Sequence, residues 1–420
     1  MASLQLQRLS RSEAVLLLIA SALGIVSLYT LFHFNSVGAA DRPLNPGELA
    51  FVPRIELIGT AEIPGDQPDL SGDQTILENG ELAGRIGGFS AIDATENPGV
   101  YRVLPDRGPD DGATSYRCRS HLLKIQIDPQ AVSRVNVELL ATEYLTDELG
   151  RGWYGSSTAP VSSDSAGRLD PEGLRTLPGG RFLLSDEYGP SILEFASNGR
   201  LVRSWQVPQH MQVEHPAATK QEENALNQRG RASNKGIEGL AVSHDGQFAV
   251  GLFQQALLQD SVRSPEKGTP SGNVARLLVI DRETQESKEY LYELESSEFG
   301  TNEILAAGPD QYLVIEKDGL SGNEAAFRKL MLISTVGATD VTGMDCSFAE
   351  GIPSHVKPVT KTEFLDFLNP AFGLAGDSMP EKIEGLTWGP PLADGRKTLI
   401  VVVDNDFEYT APSRIWVFAL

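Results

Sequence analysis

One phrase keeps returning along this chain, and it limits the possible folds more than any other feature. Its clearest copy is DPEGLRTLPGGRFLLSDEYGPSILEF, residues 170–195. A carboxylate, Glu172, stands before Gly173 and an apolar residue. Turn residues Pro178, Gly179 and Gly180 follow, then the apolar run Phe182, Leu183, Leu184, then the acidic pair Asp186 and Glu187. A second apolar stretch begins at Ile192. Short apolar runs punctuated by Gly and Pro read as strand, hairpin, strand, turn, strand, with acids at one end.

The phrase returns as IEGLAVSHDGQFAVGLFQQA with Glu238, as TNEILAAGPDQYLVIEKDG with Glu303, and as IEGLTWGPPLADGRKTLIVVVDNDF with Glu384. A weaker early copy, FSAIDATENPGVYRVLPDRG, has Ser90 in place of the Glu. Self-similarity at this spacing, with three or four short strands per unit, is the signature of a β-propeller. The fold expected is therefore all-β, one propeller over residues 41–420. Blades of about 40–70 residues suggest six of them, with five or seven left open. Ile55–Ile63 and Arg414–Leu420 are expected to pair and close the ring, since an open sheet edge invites aggregation.

Between the copies, His121–Ile127, Val135–Leu140, Leu201–Val207, Val274–Asp281, Lys288–Glu293 and Leu330–Ser334 read as strands. Residues 208–236 and 259–273 read as long polar loops, the first with a short helix near Glu222–Gln228. Phe364–Leu368 reads as a short helix before the last copy.

The formal net charge is −22. Nucleic acid is excluded as a partner, because phosphate binding needs clustered Lys and Arg. Arg8 and Arg11 precede an apolar run over residues 14–34, and Gly38, Ala39 and Ala40 follow. Residues 1–40 are thus a cleaved secretory signal or an uncleaved membrane anchor through 14–34. Either one exports the remainder, to the periplasm or the extracellular space. Two cysteines, Cys118 and Cys346, are able to pair there. The oligomeric expectation is a monomer.

The innermost strand of each blade lines a central channel. If each Glu of the phrase leads that strand, Glu172, Glu238, Glu303 and Glu384 converge on one mouth. The second acids, Asp106, Asp186, Glu187, Glu316 and Asp404, would ring them. Like charges at about 4 Å cost on the order of 4 kcal/mol near a protein surface. Such a set needs protonation, basic partners or a cation. All-oxygen ligands in a roomy, irregular ring favour Ca²⁺ over Mg²⁺. Arg107, Arg175, Lys235, Lys317 and Lys382 stand beside these acids in sequence. They are salt-bridge partners, or they hold an anionic ester against the metal. No nucleophile elbow and no phosphate-binding Gly-rich loop is visible. His121, near DRGPDDG, reads as structural rather than as a base.

The segments FSAID, PDRGP, PEGL with SDEYGPSI, NKGIEGLA, and IEGL with DNDF resemble the bacterial family labelled "esterase-like activity of phytase", from about Gly87 onwards. The resemblance implies an extracytoplasmic propeller that hydrolyses phosphate or carboxylate esters. It carries Asp93, Asp106, Glu172, Asp186, Glu187, Glu238, Glu384, Asp404 and Asp406 as acidic positions and Arg107 and Lys235 as basic ones. Glu303 comes from the repeat alone. The expected enzyme has Ca²⁺ on Glu172, Glu238, Glu303, Glu384, Asp106 and Asp404. Asp186 or Glu187 would be its base, and Arg107 and Lys235 would clamp a small anionic ester. Two alternatives remain open: a non-catalytic, Ca²⁺-stabilised propeller that binds a partner or a sugar, and a lactonase-like hydrolase, for which Asn405 is the added ligand.

Overall fold

The computed structural model describes residues 55–263, 270–344 and 347–420. The N-terminal signal or anchor, the linker 41–50 and Cys346 lie outside them. Among the described residues, no helix is long and apolar enough to cross a membrane. Cys118 is buried, with its Sγ 3.5 Å from the Leu169 carbonyl oxygen.

Among the described residues, five four-stranded antiparallel sheets follow one another. Blade I is β2 (Phe89–Ala94), β3 (Val100–Pro105), β4 (Arg119–Ile127) and β5 (Val135–Tyr144). Between blades run two short strands, β6 (Gly152–Tyr154) and β7 (Ser165–Arg168). Blade II is β8 (Pro171–Thr176), β9 (Phe182–Asp186), β10 (Ser191–Phe195) and β11 (Leu201–Gln206). The loop expected over 208–236 carries a short 3₁₀ turn at Gln209–Met211 and one α-helix of two turns, α1 (Lys220–Leu226). Its N-cap Thr219 accepts from the Glu222 N–H.

Blade III is β12 (Ile237–Val242), β13 (Phe248–Phe253), β16 (Val274–Asp281) and β17 (Ser287–Glu293). It is interrupted by the two-residue pair β14 (Val262–Arg263) and β15 (Pro270–Ser271). Blade IV is β18 (Gly300–Gly308), β19 (Gln311–Lys317), β20 (Arg328–Ser334) and β21 (Thr360–Asp366). Blade V is β22 (Ile383–Gly389), β23 (Thr398–Val403), β24 (Ser413–Ala419) and β1 (Glu56–Ile63).

The ring closes as expected, with β1 pairing antiparallel with β24 from Glu56–Ala419 to Ile63–Ser413. Two expectations are corrected. Among the described residues there are five blades, not six, because long excursions such as 145–170 and 335–359 lengthen some repeats beyond their strands. Residues 364–366 form the end of β21, not a helix. Thr360 and Glu363 are spaced like a helix start, but the backbone of TEFLD pairs with β20 and the strand prevails.

The apolar side chains gather into five main clusters, one between each pair of neighbouring blades. The cluster between blades V and I joins Phe89, Ile92 and Val103 to Ile400, Val402 and Val417. The middle strands are buried on both faces; every residue of β23, TLIVVV, is buried. That explains their continuous apolar runs. Each fully buried aliphatic side chain contributes about 1.5–3 kcal/mol.

The glycine of the Glu-Gly phrase has a packing cause. A Cβ on Gly173 would stand 2.5 Å from Leu240 Cβ, and one on Gly385 would stand 2.9 Å from Ala91 Cα. Each such glycine lets its inner strand press against that of the next blade. Gly385→Ala will therefore cost about 1–3 kcal/mol, read as a lower denaturation midpoint. An unchanged midpoint would show that the blades have room to shift.

Candidate functional site

All five inner strands share one local irregularity. Pairing with the second strand slips between Phe89 and Ala91, Pro171 and Leu174, Ile237 and Gly239, Thr301 and Glu303, and Ile383 and Gly385. A β-bulge of this kind re-aims the skipped side chain. The skipped positions are Ser90, Glu172 with Gly173, Glu238, Asn302 and Glu384, and the side chains of Ser90, Glu172, Glu238, Asn302 and Glu384 are buried. Consecutive inner strands pack on one another around the axis, and the Asn302 amide crosses from blade IV to donate to Glu384 at 2.6 Å.

Glu303 is thus one residue out of register with the other three glutamates. It takes the position of Gly239 and Gly385, is fully buried, and accepts from the N–H groups of Ile304 and Leu240. Its other oxygen pairs with Arg175 at 3.1 Å. Arg175 reaches across the channel, donating to the carbonyls of Ile92 in blade I (3.4 Å) and Ile304 in blade IV (2.6 Å). The Arg175–Glu303 pair thereby links the inner strands of several blades. This corrects the grouping of Glu303 with the converging acids.

A second set stands at the end of each second strand: Asp106, Glu187, Gln254 and Asp404 one residue past it, and Lys317, at the same register, as the last residue of β19. Glu316, one residue earlier, points away and accepts from Tyr292 Oη (2.6 Å), the Glu295 N–H and Lys361. Asp186, the last residue of β9, braces the turn that follows it. Its oxygens accept from the N–H groups of Asp170, Tyr188 and Gly189 and from the Ser191 hydroxyl. Asn405 braces the closing blade, accepting from the Gly88 N–H and the Ser413 hydroxyl. His121 lies on β4, fully buried and bonded to Thr142 Oγ1 at 2.9 Å; burial lowers its pKa to about 3.

Asp170, Glu172 and Glu187 each place a carboxylate oxygen within 4.8 Å of the others, and all three are buried. Arg107 pairs with Asp170 and, at 3.3 Å, with Glu187. Glu187 also accepts from the Gly236 N–H at 3.0 Å. Against the penalty of burial, Arg107, Arg231 and Lys235 hold Glu187 below its ordinary pKa. Glu172 has no hydrogen bond or ion pair among the described residues. Burial, then Glu238, Asp170 and Glu187, push it well above the carboxylate range.

Burial likewise raises Glu238, helped by Glu187 and Glu384. Asp106 and Glu384 each rise to about 7, mainly through burial. A buried acidic oxygen set with one member unpartnered fits a hard, oxygen-seeking cation.

Among the site residues expected from sequence, Glu172, Glu238 and Glu384 lie in the bulge set and Asp106, Glu187 and Asp404 in the outer set. Arg107 and Lys235 also face this mouth, Lys235 donating to Gln254. Asp170, Gln254 and Asn302 were not singled out, and Lys317 was read only as a basic neighbour of Glu316. Asp170 opens the DPEG copy two residues before Glu172, and Lys317 occupies the register position of Glu187 and Asp404.

Residues 84–407 match the family model described as "Phytase-like: Esterase-like activity of phytase". An "uncharacterized secreted protein" of the fungus Arthroderma benhamiae is 27% identical over 262 residues, covering 49% of this chain and 49% of its own. The chain thus spans about half the length of that curated relative, and the likeness extends beyond bacteria. Solved structures overlap only loosely. An ancestral GH74 enzyme has TM-score 0.36 at 9% identity, covering 80% of this chain and 36% of that one. Virginiamycin B lyase from Staphylococcus aureus has 0.32 at 10%, covering 87% and 100%.

Proposed function

The chain belongs to the phytase-like family, and from that premise we propose an exported hydrolase that cleaves small anionic phosphate or carboxylate esters at the acidic mouth. The supporting observation is the buried trio of Asp170, Glu172 and Glu187, whose middle member lacks a partner. A calcium ion held there, with Glu238, Glu384, Asp106 and Asp404 nearby, would supply Lewis-acid polarisation of the ester oxygen.

The chain's own residues do the rest. Arg107 orients Asp170 and Glu187 through its guanidinium. Asp186 holds the turn that carries Glu187 into the mouth. Glu238 is the proton acceptor. Gln254 Nε2 donates to its Oε1 at 2.6 Å, and burial raises its pKa, which makes the ionised carboxylate a stronger base. The secreted relative and the N-terminal apolar run support export.

The test uses purified protein on a panel of an aryl phosphate, an aryl carboxylate ester and a lactone, with calcium and after chelation. The lactone is included because Asn302 Oδ1 is buried without a hydrogen bond beside Glu384. The expected result is turnover of an anionic ester, suppressed at least about tenfold by chelation. Calcium retention with no turnover across the panel would replace this reading with a calcium-stabilised binding propeller.

A further inference from the structure

The two sets of side chains are not uniform around the ring. In the outer set, blades I, II and V carry acids (Asp106, Glu187, Asp404), whereas blade III carries Gln254 and blade IV Lys317. Blade IV also has Asn302 where blades II, III and V have Glu. One side of the mouth is therefore acidic, and the blade III–IV side is less so.

The cations divide in the same way. Arg107 is tied to Asp170, Glu187 and Asp111. Lys382 is tied to Asp404 (3.0 Å), Asp406 and Asp106 (3.8 Å). Lys235 instead donates to the amide oxygen of Gln254 and has no carboxylate within ion-pair distance among the described residues. Lys317 meets one carboxylate, Glu381, at 3.1 Å, and that side chain is 43% exposed.

We infer that Lys235 and Lys317 form an oxyanion subsite that seats the phosphate or carboxylate group of a ligand on the blade III–IV side. A charged group there gains charge-assisted hydrogen bonds from Lys235, which has no ion pair among the described residues, and from Lys317, whose ion pair is with the part-exposed Glu381. The two lysines come from neighbouring blades: Gln254, which accepts from Lys235, takes the Thr301 N–H on its carbonyl, and Thr301 follows Gly300, the strand partner of Lys317. Gln254 is the positioning residue. Its Nε2 donates to Glu238, which turns its oxygen toward Lys235. An acid at 254, as in blades I, II and V, would neutralise Lys235 instead. The ligand's identity rests on the hydrolase reading, but the subsite does not.

Equilibrium dialysis of the full chain with inorganic phosphate, run with and without calcium, tests this. Lys317→Met and Gln254→Glu should each weaken binding about tenfold. Glu381→Gln, on the exposed rim, should tighten it by releasing Lys317. Unchanged binding in Lys317→Met and Gln254→Glu, with the fold intact by circular dichroism, overturns the subsite. If either fails to fold, unchanged binding in Glu381→Gln overturns it alone. Phosphate retention that follows the expected pattern, without ester turnover, sinks the hydrolase reading and supports the subsite.

Discussion

Glu172→Gln will lower ester turnover by about a hundredfold and leave the stability of the cation-free protein unchanged or raised. The two effects part because the carboxylate has no stabilising partner. Glu172 is buried, and the charges that act on it most are the acids Glu238, Asp170 and Glu187. The amide keeps its shape and removes that repulsion. It also removes one oxygen charge from the trio proposed to hold calcium, where a neutral donor is a weaker ligand for a hard cation. Turnover, calcium titration calorimetry and thermal melting, measured on the same preparation, separate these effects. Unchanged turnover would take Glu172 out of the reaction. A large fall in melting temperature would make it a structural acid.

Arg175→Met should cost about 3–5 kcal/mol of stability, the largest loss expected from any single side chain at the axis. The variant strips two interblade hydrogen bonds and leaves Glu303 buried without its cation. Burial already lifts the Glu303 carboxyl to about 7, although Arg175 and two backbone N–H groups pull it down. Without Arg175 it rises further.

An acid whose folded pKa exceeds its unfolded value of about 4.3 favours folding below that value. The support is lost as pH climbs through the folded pKa. The deficit of Arg175→Met will therefore be smaller near about pH 5 than near about pH 8. Arg175→Met with Glu303→Gln should recover part of it at the higher pH, because breaking a buried pair costs more than removing both charges. Denaturant titrations of both variants at two pH values check this. A pH-independent deficit, equal in the single and double variants, would remove the pair from the account.

Much of this architecture was legible because its cause is local. Gly-Pro turns between short apolar runs, repeated every 65 to 82 residues at Ser90, Glu172, Glu238, Glu303 and Glu384, admit few folds besides a propeller. Ile55–Ile63 and Arg414–Leu420 read as mates because pairing them leaves no open edge where the ring meets. Blade number was less legible. Excursions between strands have no periodicity, so length divided by a typical blade overestimates it.

The site shows the same division. Its acidic character and the convergence of Glu172, Glu238 and Glu384 were written in the repeat. Which residue stands at each position was not, because a bulge shifts every following side chain by one. TNEIL aligned by its glutamate puts Glu303 in the wrong place, and only the pairing of Thr301 with Glu316 and Glu303 with Ile315 puts Asn302 in the ring. Glu316 and Lys317 exchanged roles for the same reason, since neighbours on a strand face opposite ways.

The amino-acid order alone determined an all-β ring with acids gathered at one mouth, because strand periodicity and turn chemistry act over a few residues. Only the tertiary structure decided which of those acids are already held by Arg107, Arg175 or Lys382 and which, like Glu172, stand without a partner. Those pairings join blades far apart in sequence, and their strength depends on burial and on distances of a few ångströms that no local pattern encodes.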